Sequence, residues 1–286
     1  MVDLTAIVLT KNESKNITEC IESIIQLVKR VVVVDSGSTD NTVELAKEYG
    51  ADVYYHDFEY YAKQFNWAID NTNITTKWIL RLDADERFTP KLCEEVEKLL
   101  KKHENDNVNG IAMEAWFYFL GRCMKHGLSN KRKMMIFKNG LGRIEDRKRD
   151  AHSIISKGTS VMTHEKFLNY DYKDLSNYIK KYNWYSIREV YDYIEYKNGG
   201  NINIKTDKSI QKQRKKKFGF YYKFPKYFRA WLWFVYNYIF KGGFLDGRES
   251  FLYHFFECYW YRLLVDAKIF EKEQLGKELE DLKSLE

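Results

Sequence analysis

Between Lys77 and Phe88 the chain reads KWILRLDADERF, so that Asp83, Asp85 and Glu86 close an apolar run interrupted only by Arg81. Three carboxylates this close repel one another. The chemistry that offsets the repulsion is a hard divalent cation, Mg2+ or Mn2+, which takes oxygen ligands and leaves coordination positions for substrate phosphates. Strand side chains alternate faces, so Asp83 and Asp85 are expected to point the same way if extended geometry persists past Leu82. Asp-x-Asp is also a common string in solvated turns. Its position after a buried-looking strand favours metal binding.

Two further polar clusters have the same relation to an apolar run. Leu4–Thr10 reads as a buried strand and leads into Thr10-Lys-Asn-Glu13; Val31–Val34 reads as another and leads into Asp35-Ser-Gly-Ser-Thr-Asp40. Asn16-Ile-Thr-Glu19 is similar to a capping box, followed by Ile17, Cys20, Ile21, Ile24 and Val28 at helical spacing. The Ser36–Asp40 cluster opens a helix that runs to Gly50, a C′ residue by type. Ala51–His56 is a third strand, Tyr61–Asn71 a helix, and Trp78–Leu82 a fourth strand. Strands alternating with helices through short connections predict an α/β architecture, a mostly parallel sheet flanked by helices. Such sheets bind ligands beyond the carboxyl ends of their strands, where all three clusters lie.

After Pro90 the spacing of Leu92, Val96, Leu99 and Leu100 predicts a helix, and Gly110–Leu120 and Lys133–Lys138 read as strands of a more mixed region. Asp174–Ile194 carries a helical apolar stripe. Asn198-Gly-Gly-Asn201 breaks the chain, giving an α/β domain over 1–197 and a basic, aromatic, helical region over 198–286.

The chain has 286 residues, 44% of them hydrophobic and 16% aromatic, with 47 Lys and Arg against 41 Asp and Glu. It can bury a sizeable core, and its net charge is too mild to name a partner. Cys20, Cys93, Cys123 and Cys258 are far apart, so neither a zinc site nor a disulfide framework is indicated and a reducing, cytoplasmic setting is expected. The N-terminus has no basic segment before its short apolar run, so no secretion signal is expected. No stretch offers about 20 uncharged apolar residues, the length of a membrane-spanning helix.

Thr10-Lys-Asn-Glu13, Val33-Val-Asp35-Ser-Gly-Ser-Thr-Asp40 and Leu82-Asp83-Ala-Asp85-Glu86, in this order after the first, second and fourth strands, resemble family 2 glycosyltransferases, in their bacterial lipopolysaccharide-core and surface-polysaccharide branch. The resemblance covers the first half clearly and continues, less specifically, through Glu145-Asp-Arg147, Tyr182-Asn183 and Gly243–Gly247. It implies a GT-A fold and inverting transfer of a sugar from a nucleotide-diphosphate donor, a UDP-sugar, to a saccharide or lipid-linked acceptor. It implies that Leu9, Thr10 and Glu13 line the nucleotide pocket, Asp35 contacts base or ribose, Asp83 touches ribose or the metal's shell, and Asp85 binds Mn2+ or Mg2+. Lys63 and Arg81 are the basic groups expected to reach the nucleotide or its phosphates.

An inverting transfer needs a carboxylate that takes the proton of the acceptor hydroxyl. Relatives of this branch show Glu-Asp-Arg, two residues, then Asp-Glu-His; here the segment reads Glu145-Asp-Arg-Lys-Arg-Asp150-Ala151-His152, with alanine in the glutamate's place. Asp150 ranks first as base and Asp146 second, or the base is missing at residue 151. His152 is a third metal-ligand candidate beside Asp83 and Asp85, with a structural role as its alternative; His164 and Asn169 are weaker candidates.

From Lys205 to Arg229 the chain is basic, with Asp207 its one acid, and aromatic residues crowd Phe218–Phe240. Cations beside amphipathic rings suit an anionic membrane surface, with Lys215, Lys216, Lys217, Trp231 and Trp233 as the contacts. A peripheral position on the inner face of the cytoplasmic membrane is therefore expected. No nucleic-acid motif accompanies the cluster, so nucleic acid is not an expected partner. Phe251–Leu264 suits helix packing or a homodimer contact. Two other readings stay open: a nucleotidyltransferase, disfavoured because Thr10–Glu13 contains no glycine, and a non-catalytic membrane or partner-binding module, which Ala151 keeps alive.

Overall fold

The computed structural model describes residues 1–128, 132–146, 151–199, 219 and 221–276. The aliphatic runs form strands covered on both faces, as their lack of alternation demands. β1 (Val2–Thr10) pairs in parallel with β2 (Val28–Asp35), β3 (Asp52–Tyr55) lies beyond β2, and β4 (Trp78–Asp83) lies on the other side of β1. In register, Thr10 stands beside Asp35, Asp35 beside Tyr55, and Leu9 beside Asp83. Four carboxyl ends therefore form one row.

Alternation along these strands feeds two apolar clusters. Ala6, Val8, Val31, Val33, Leu80 and Leu82 enter one, while Ile7, Val32, Val34 and Ile79 enter the other with Phe65. The covering helices are α1 (Ile17–Glu22), α2 (Thr42–Glu48), α3 (Tyr61–Asn71) and α4 (Pro90–Lys102). α4 starts as its sequence demands: Pro90 sits at the first turn, and Thr89 Oγ1 accepts the Leu92 N–H at 3.2 Å. The helical spacing through Val28 does not extend α1, which stops at Glu22. The sheet claims the end of that stretch, since the Val2 N–H donates to the Leu27 carbonyl at 2.8 Å and Val28 opens β2.

The sheet continues through β5 (Glu86–Arg87), β6 (Val108–Phe119), and, after the short β7 (Arg122–Met124), β8 (Arg132–Lys138), β11 (Thr159–Met162) and β12 (Phe167–Asn169). Its order is β3-β2-β1-β4-β8-β6-β12-β5, with β8 antiparallel to both β4 and β6 and β11 parallel to β6. β9 (Gly142–Ile144) and β10 (Ser153–Ile155) form a separate hairpin. Asn66 of α3 grips it, donating to the Ile144 carbonyl at 2.9 Å and accepting the Ile144 N–H at 3.0 Å.

The chain divides into two compact units, Met1–Tyr118 with Asn130–Tyr172, and Phe119–Ser129 with Lys173–Glu286. The sequence groups Leu175–Lys197 (α5) with the first domain. In the structure its Tyr182 and Val190 share a buried cluster with Tyr261, Val265 and Ile269, so its apolar stripe finds its partner in the second unit. That unit continues with α6 (Phe228–Val235), a π-helical turn over Tyr236–Phe240, and α7 (Arg248–His254), which passes through a second π-helical turn into α8 (Tyr261–Leu275). The two less specific motifs of this half are structural here. Tyr182 donates to Glu257 and Asn183 accepts from Lys268, while Asp246 of Gly243–Gly247 accepts the Lys125 and His126 N–H groups at 2.6 and 2.7 Å.

Candidate active site

The loops after β1 and β2 are knitted into one platform. Asp35 fills its carboxylate locally: Oδ1 accepts from Thr10 Oγ1 at 3.0 Å and from Ser38 Oγ, and Oδ2 accepts the Gly37 and Ser38 N–H groups at 2.9 and 2.8 Å. Four acceptances use the positions a carboxylate offers, so Asp35 shapes the turn and holds Thr10. Gly37 has φ +87°, a left-handed conformation that suits glycine. Asn12, at φ +52°, accepts the Thr39 N–H at 2.8 Å, and its own N–H donates to Ser38 Oγ. Glu13 donates its N–H to Thr42 Oγ1 and accepts from Asn16 Nδ2, both at 2.8 Å. Asn16 does not cap α1 with its side chain. It bridges instead to Asp171 Oδ1 and to the Tyr172 N–H, each at 2.9 Å.

The acidic tip departs from the simple strand expectation. Extended geometry reaches Asp83, but Ala84 and Asp85 form a turn before β5. Asp83 and Asp85 consequently meet different partners. Asp83 Oδ1 accepts from the Tyr61 hydroxyl at 2.8 Å, and Oδ2 from Lys133 Nζ at 2.7 Å. Asp85 Oδ1 lies 3.5 Å from Asn169 Nδ2 on β12, and its carbonyl accepts from the Tyr170 N–H at 2.8 Å and from Arg87 at 3.2 Å. Arg87 also donates to the Tyr170 carbonyl at 2.6 Å and pairs with Glu19 at 3.1 Å, so it fixes the turn from below. Asn169 reaches the tip because β12 pairs with β5, setting it opposite Glu86.

Charge is unevenly matched there. Burial alone raises Asp83, but Lys133 and Arg81 overrule it and hold its carboxyl well below the usual range. Glu86 is fully buried; burial, with Asp83 and Asp85 nearby, drives its carboxyl above the ordinary value although Lys133 opposes. Burial also lifts the Tyr61 hydroxyl, so it remains a neutral donor to Asp83. Arg81 does not stand ready for phosphates as the sequence suggests. Its Nε donates to Tyr61 at 2.7 Å, and its guanidinium lies 4.5 Å from that ring's centroid.

The remaining expected residues lie elsewhere or carry other contacts. Leu9 packs at the margin of the Ile7–Phe65 cluster, together with Tyr60, Tyr61 and Ala151. Lys63 is exposed and pairs with Glu59 one turn away. Asp146 accepts from the Tyr60 hydroxyl, which this bond and, first, burial push up to about 12. Arg147 and Asp150 lie outside the described residues. His152 sits on the hairpin loop, its carbonyl taking the Glu145 N–H at 2.9 Å. His164 is bound to Glu95 of α4 at 2.9 Å, two residues past the end of β11. Trp231 is 48% exposed, whereas the Trp233 indole N–H is buried and its ring meets Tyr221 edge-on. Lys215, Lys216 and Lys217 lie outside the described residues.

Among the described residues no three His, Cys, Asp or Glu side chains converge as a ligand set. A carboxylate at the open strand ends nevertheless fits Mg2+ or Mn2+, which commonly bind one or two carboxylates and complete their shells with substrate phosphates and water. Asp85, half-buried on its turn, is a carboxylate of that kind. The site contacts of Tyr61, Arg87, Lys133 and Asn16 escape sequence reading because each has partners between 20 and 156 residues away. Arg81 inside an apolar run was a local sign that a buried countercharge was needed.

Residues 5–149 match the family model described as Glycosyl transferase family 2. The chain is similar to a Rickettsia felis protein described as an uncharacterized glycosyltransferase, with 37% identity over 106 residues covering 37% of each chain. It is similar to LpsC of Rhizobium meliloti, described as a lipopolysaccharide core biosynthesis glycosyltransferase, with 28% identity over 161 residues. That match covers 54% of this chain and 58% of LpsC, so this chain spans less than two thirds of either relative. A crystal structure of glucosyl-3-phosphoglycerate synthase from Mycobacterium tuberculosis, with Mn2+, UDP and glucosyl-3-phosphoglycerate, is similar over 40% of this chain and 44% of that one. The identity is 20% and the TM-score 0.33.

Proposed function

The chain belongs to glycosyl transferase family 2, and from that premise we propose that it transfers a sugar, with inversion, from a UDP-sugar to a saccharide or lipid-linked acceptor of bacterial surface-polysaccharide synthesis. Its fold is GT-A. The observation that carries the reading is the single row formed by Thr10, Asp35 and Asp83 at neighbouring parallel strand ends, with Asp85 on the turn just beyond. Ligands of such sheets bind at that edge.

In this reading the Thr10–Glu13 and Asp35–Asp40 loops hold the nucleoside. Asp35 keeps the loop's shape while Thr10 and Glu13 border the pocket. Asp83, oriented by Tyr61 and Lys133, faces the ribose, and Asp85 would hold Mn2+ or Mg2+. Such an ion, when bound, would supply positive charge to offset that of the diphosphate leaving group. Asn169 and Arg87 orient Asp85. The base that takes the acceptor's proton is Asp150, with Asp146 the alternative. Asp146→Asn and Asp150→Asn distinguish them: the variant that loses transfer to acceptor while keeping donor binding identifies the base. Screening nucleotide sugars for hydrolysis tests the whole reading. UDP-sugar turnover that requires Mn2+ or Mg2+ supports it; failure of every donor overturns it.

The reading extends to location. No helix among the described residues is long and apolar enough to cross a membrane. The second unit exposes Phe228 (53%), Trp231 (48%) and Phe240 (77%), rings suited to a lipid interface on the inner face of the cytoplasmic membrane. Replacing Lys215, Lys216 and Lys217 by Glu should release the protein from anionic vesicles, each cation near such a surface being worth about 1 kcal/mol. Unchanged sedimentation with those vesicles would leave a homodimer contact as the use of this aromatic face.

A further inference from the structure

At the acidic tip the protein supplies a cation of its own. Lys133 Nζ bridges Asp83 Oδ2, at 2.7 Å, and Glu86 Oε1. Glu86 has no exposed side-chain surface, whereas Lys133 keeps 28%, so the ammonium caps the buried acid from the open side. One ammonium thus bridges both side chains, and Asp83 meets the Tyr61 hydroxyl through its other oxygen, at 2.8 Å. Meanwhile Asp85 points to Asn169 and shares neither contact.

We propose that Lys133 is an internal counter-ion that occupies the cation position beside Asp83 and Glu86 in the donor-free protein and makes divalent-ion capture depend on the nucleotide. The inference rests on the donor-binding reading above and adds an order of events to it. A free dication approaching the tip meets two carboxylates, Asp83 and Glu86, that already share an ammonium. It would have to expel an ammonium and shed water, which Mg2+ does reluctantly. A nucleotide diphosphate changes the balance, since its phosphates complete the ion's shell and offer Lys133 anionic oxygens of their own. Lys133 is thus a positioning residue that holds the Asp83 and Glu86 side chains in place until the donor arrives.

The test is Mn2+ titration, read from the electron paramagnetic resonance of the free ion, on wild type, Lys133→Met and Lys133→Arg, each with and without UDP. The proposal expects wild type to bind Mn2+ at least tenfold more tightly with UDP than without. Lys133→Met, an uncharged chain of similar length, should bind Mn2+ without UDP at least tenfold more tightly than wild type, and Lys133→Arg should behave as wild type. Adding Glu86→Gln to Lys133→Met should abolish the gain. If Lys133→Met is unstable in chelator, its rescue by Mn2+ alone in a thermal melt is the same result, and a melt indifferent to Mn2+ overturns the proposal. Equal Mn2+ affinity of Lys133→Met and wild type without UDP also overturns it. Wild type that takes up no Mn2+ even with UDP overturns the donor reading itself, and this proposal with it.

Discussion

Each unit buries acids, and the two treat them differently. In the second unit Asp266 and Arg229 are 1% and 2% exposed, and Asp266 also takes the Tyr227 N–H at 2.8 Å. Glu189 beside them accepts from Tyr222, Tyr261 and Arg262, all at 2.8 Å. Those acids end in protein donors inside a helical core. In the first unit the acids stand at strand ends, Asp83 and Glu86 lean on one partly exposed ammonium, and Asp85 occupies a turn outside that arrangement. The difference is one of address. Matched charge in the interior holds helices together, whereas charge gathered at the carboxyl edge of a parallel sheet is placed to meet a ligand.

Removing the acid at the edge should therefore cost function and spare stability. Asp85→Ala is expected to lower sugar-nucleotide turnover by about 10³-fold, the scale of losing one electrostatic stabiliser. Its unfolding free energy should stay within about 0.5 kcal/mol of wild type, since Asp85 sits half-buried on a turn outside the apolar core. Comparable losses of both would erase the distinction between the units.

The interior pair should behave the opposite way. Asp266→Ala leaves Arg229 buried and unpaired, a change that costs about 3–5 kcal/mol. Denaturant unfolding should register it, while the folded fraction keeps its UDP affinity. Replacing both partners, Arg229→Met with Asp266→Leu, should restore much of the loss, because it removes the stranded charge.

A pH effect sharpens the contrast within the second unit. His254 is fully buried; its Nε2 accepts the Leu128 N–H at 3.2 Å, and Nδ1 meets the Ser250 carbonyl at 2.8 Å. Burial, the largest influence, lowers its pKa below 6.5, although the Ser250 carbonyl, Asp246 and Glu257 pull the other way. The unfolded chain then binds more protons in the window beneath 6.5, so stability rises with pH through that window and is lost as pH falls. Asp246 is held below its usual range despite burial, by bonds from His126 and Lys125, and adds a loss only beneath about 3.8. Urea midpoints measured between about pH 7.5 and 5.5 should fall for wild type and fall less for His254→Gln.

The smallest effect expected is that of Asn169→Ala. It removes a long, 3.5 Å contact to Asp85 and should raise the Mn2+ requirement of turnover only a few-fold, near the weak end of hydrogen-bond contributions of about 0.5–1.5 kcal/mol.

Much of the first unit was legible because its strands are continuous aliphatic runs ended by polar clusters. Tyr61–Asn71 forms the helix its pattern predicts, and the three loaded strand ends come together in register. Local chemistry told less where tertiary demands override it. Asn16 has the type and place of a cap, yet its amide ties the β1 loop to Asp171 and Tyr172. Arg81 looked available for phosphate, and Tyr61 takes it. The alternation expected of Asp83 and Asp85 fails because a turn begins at Ala84, and Lys133, which answers Asp83, lies fifty residues away. In the second unit α5 reads as part of the preceding domain because sequence order, not packing, is all that adjacency shows.

Calorimetric titration of UDP into wild type and Asp85→Ala, with Mn2+ present and with chelator, tests the central claim most directly. Binding heat that appears only with Mn2+ and vanishes in Asp85→Ala is the predicted result. UDP binding of equal strength in chelator, or an Asp85→Ala protein that binds UDP and Mn2+ as wild type does, would contradict it.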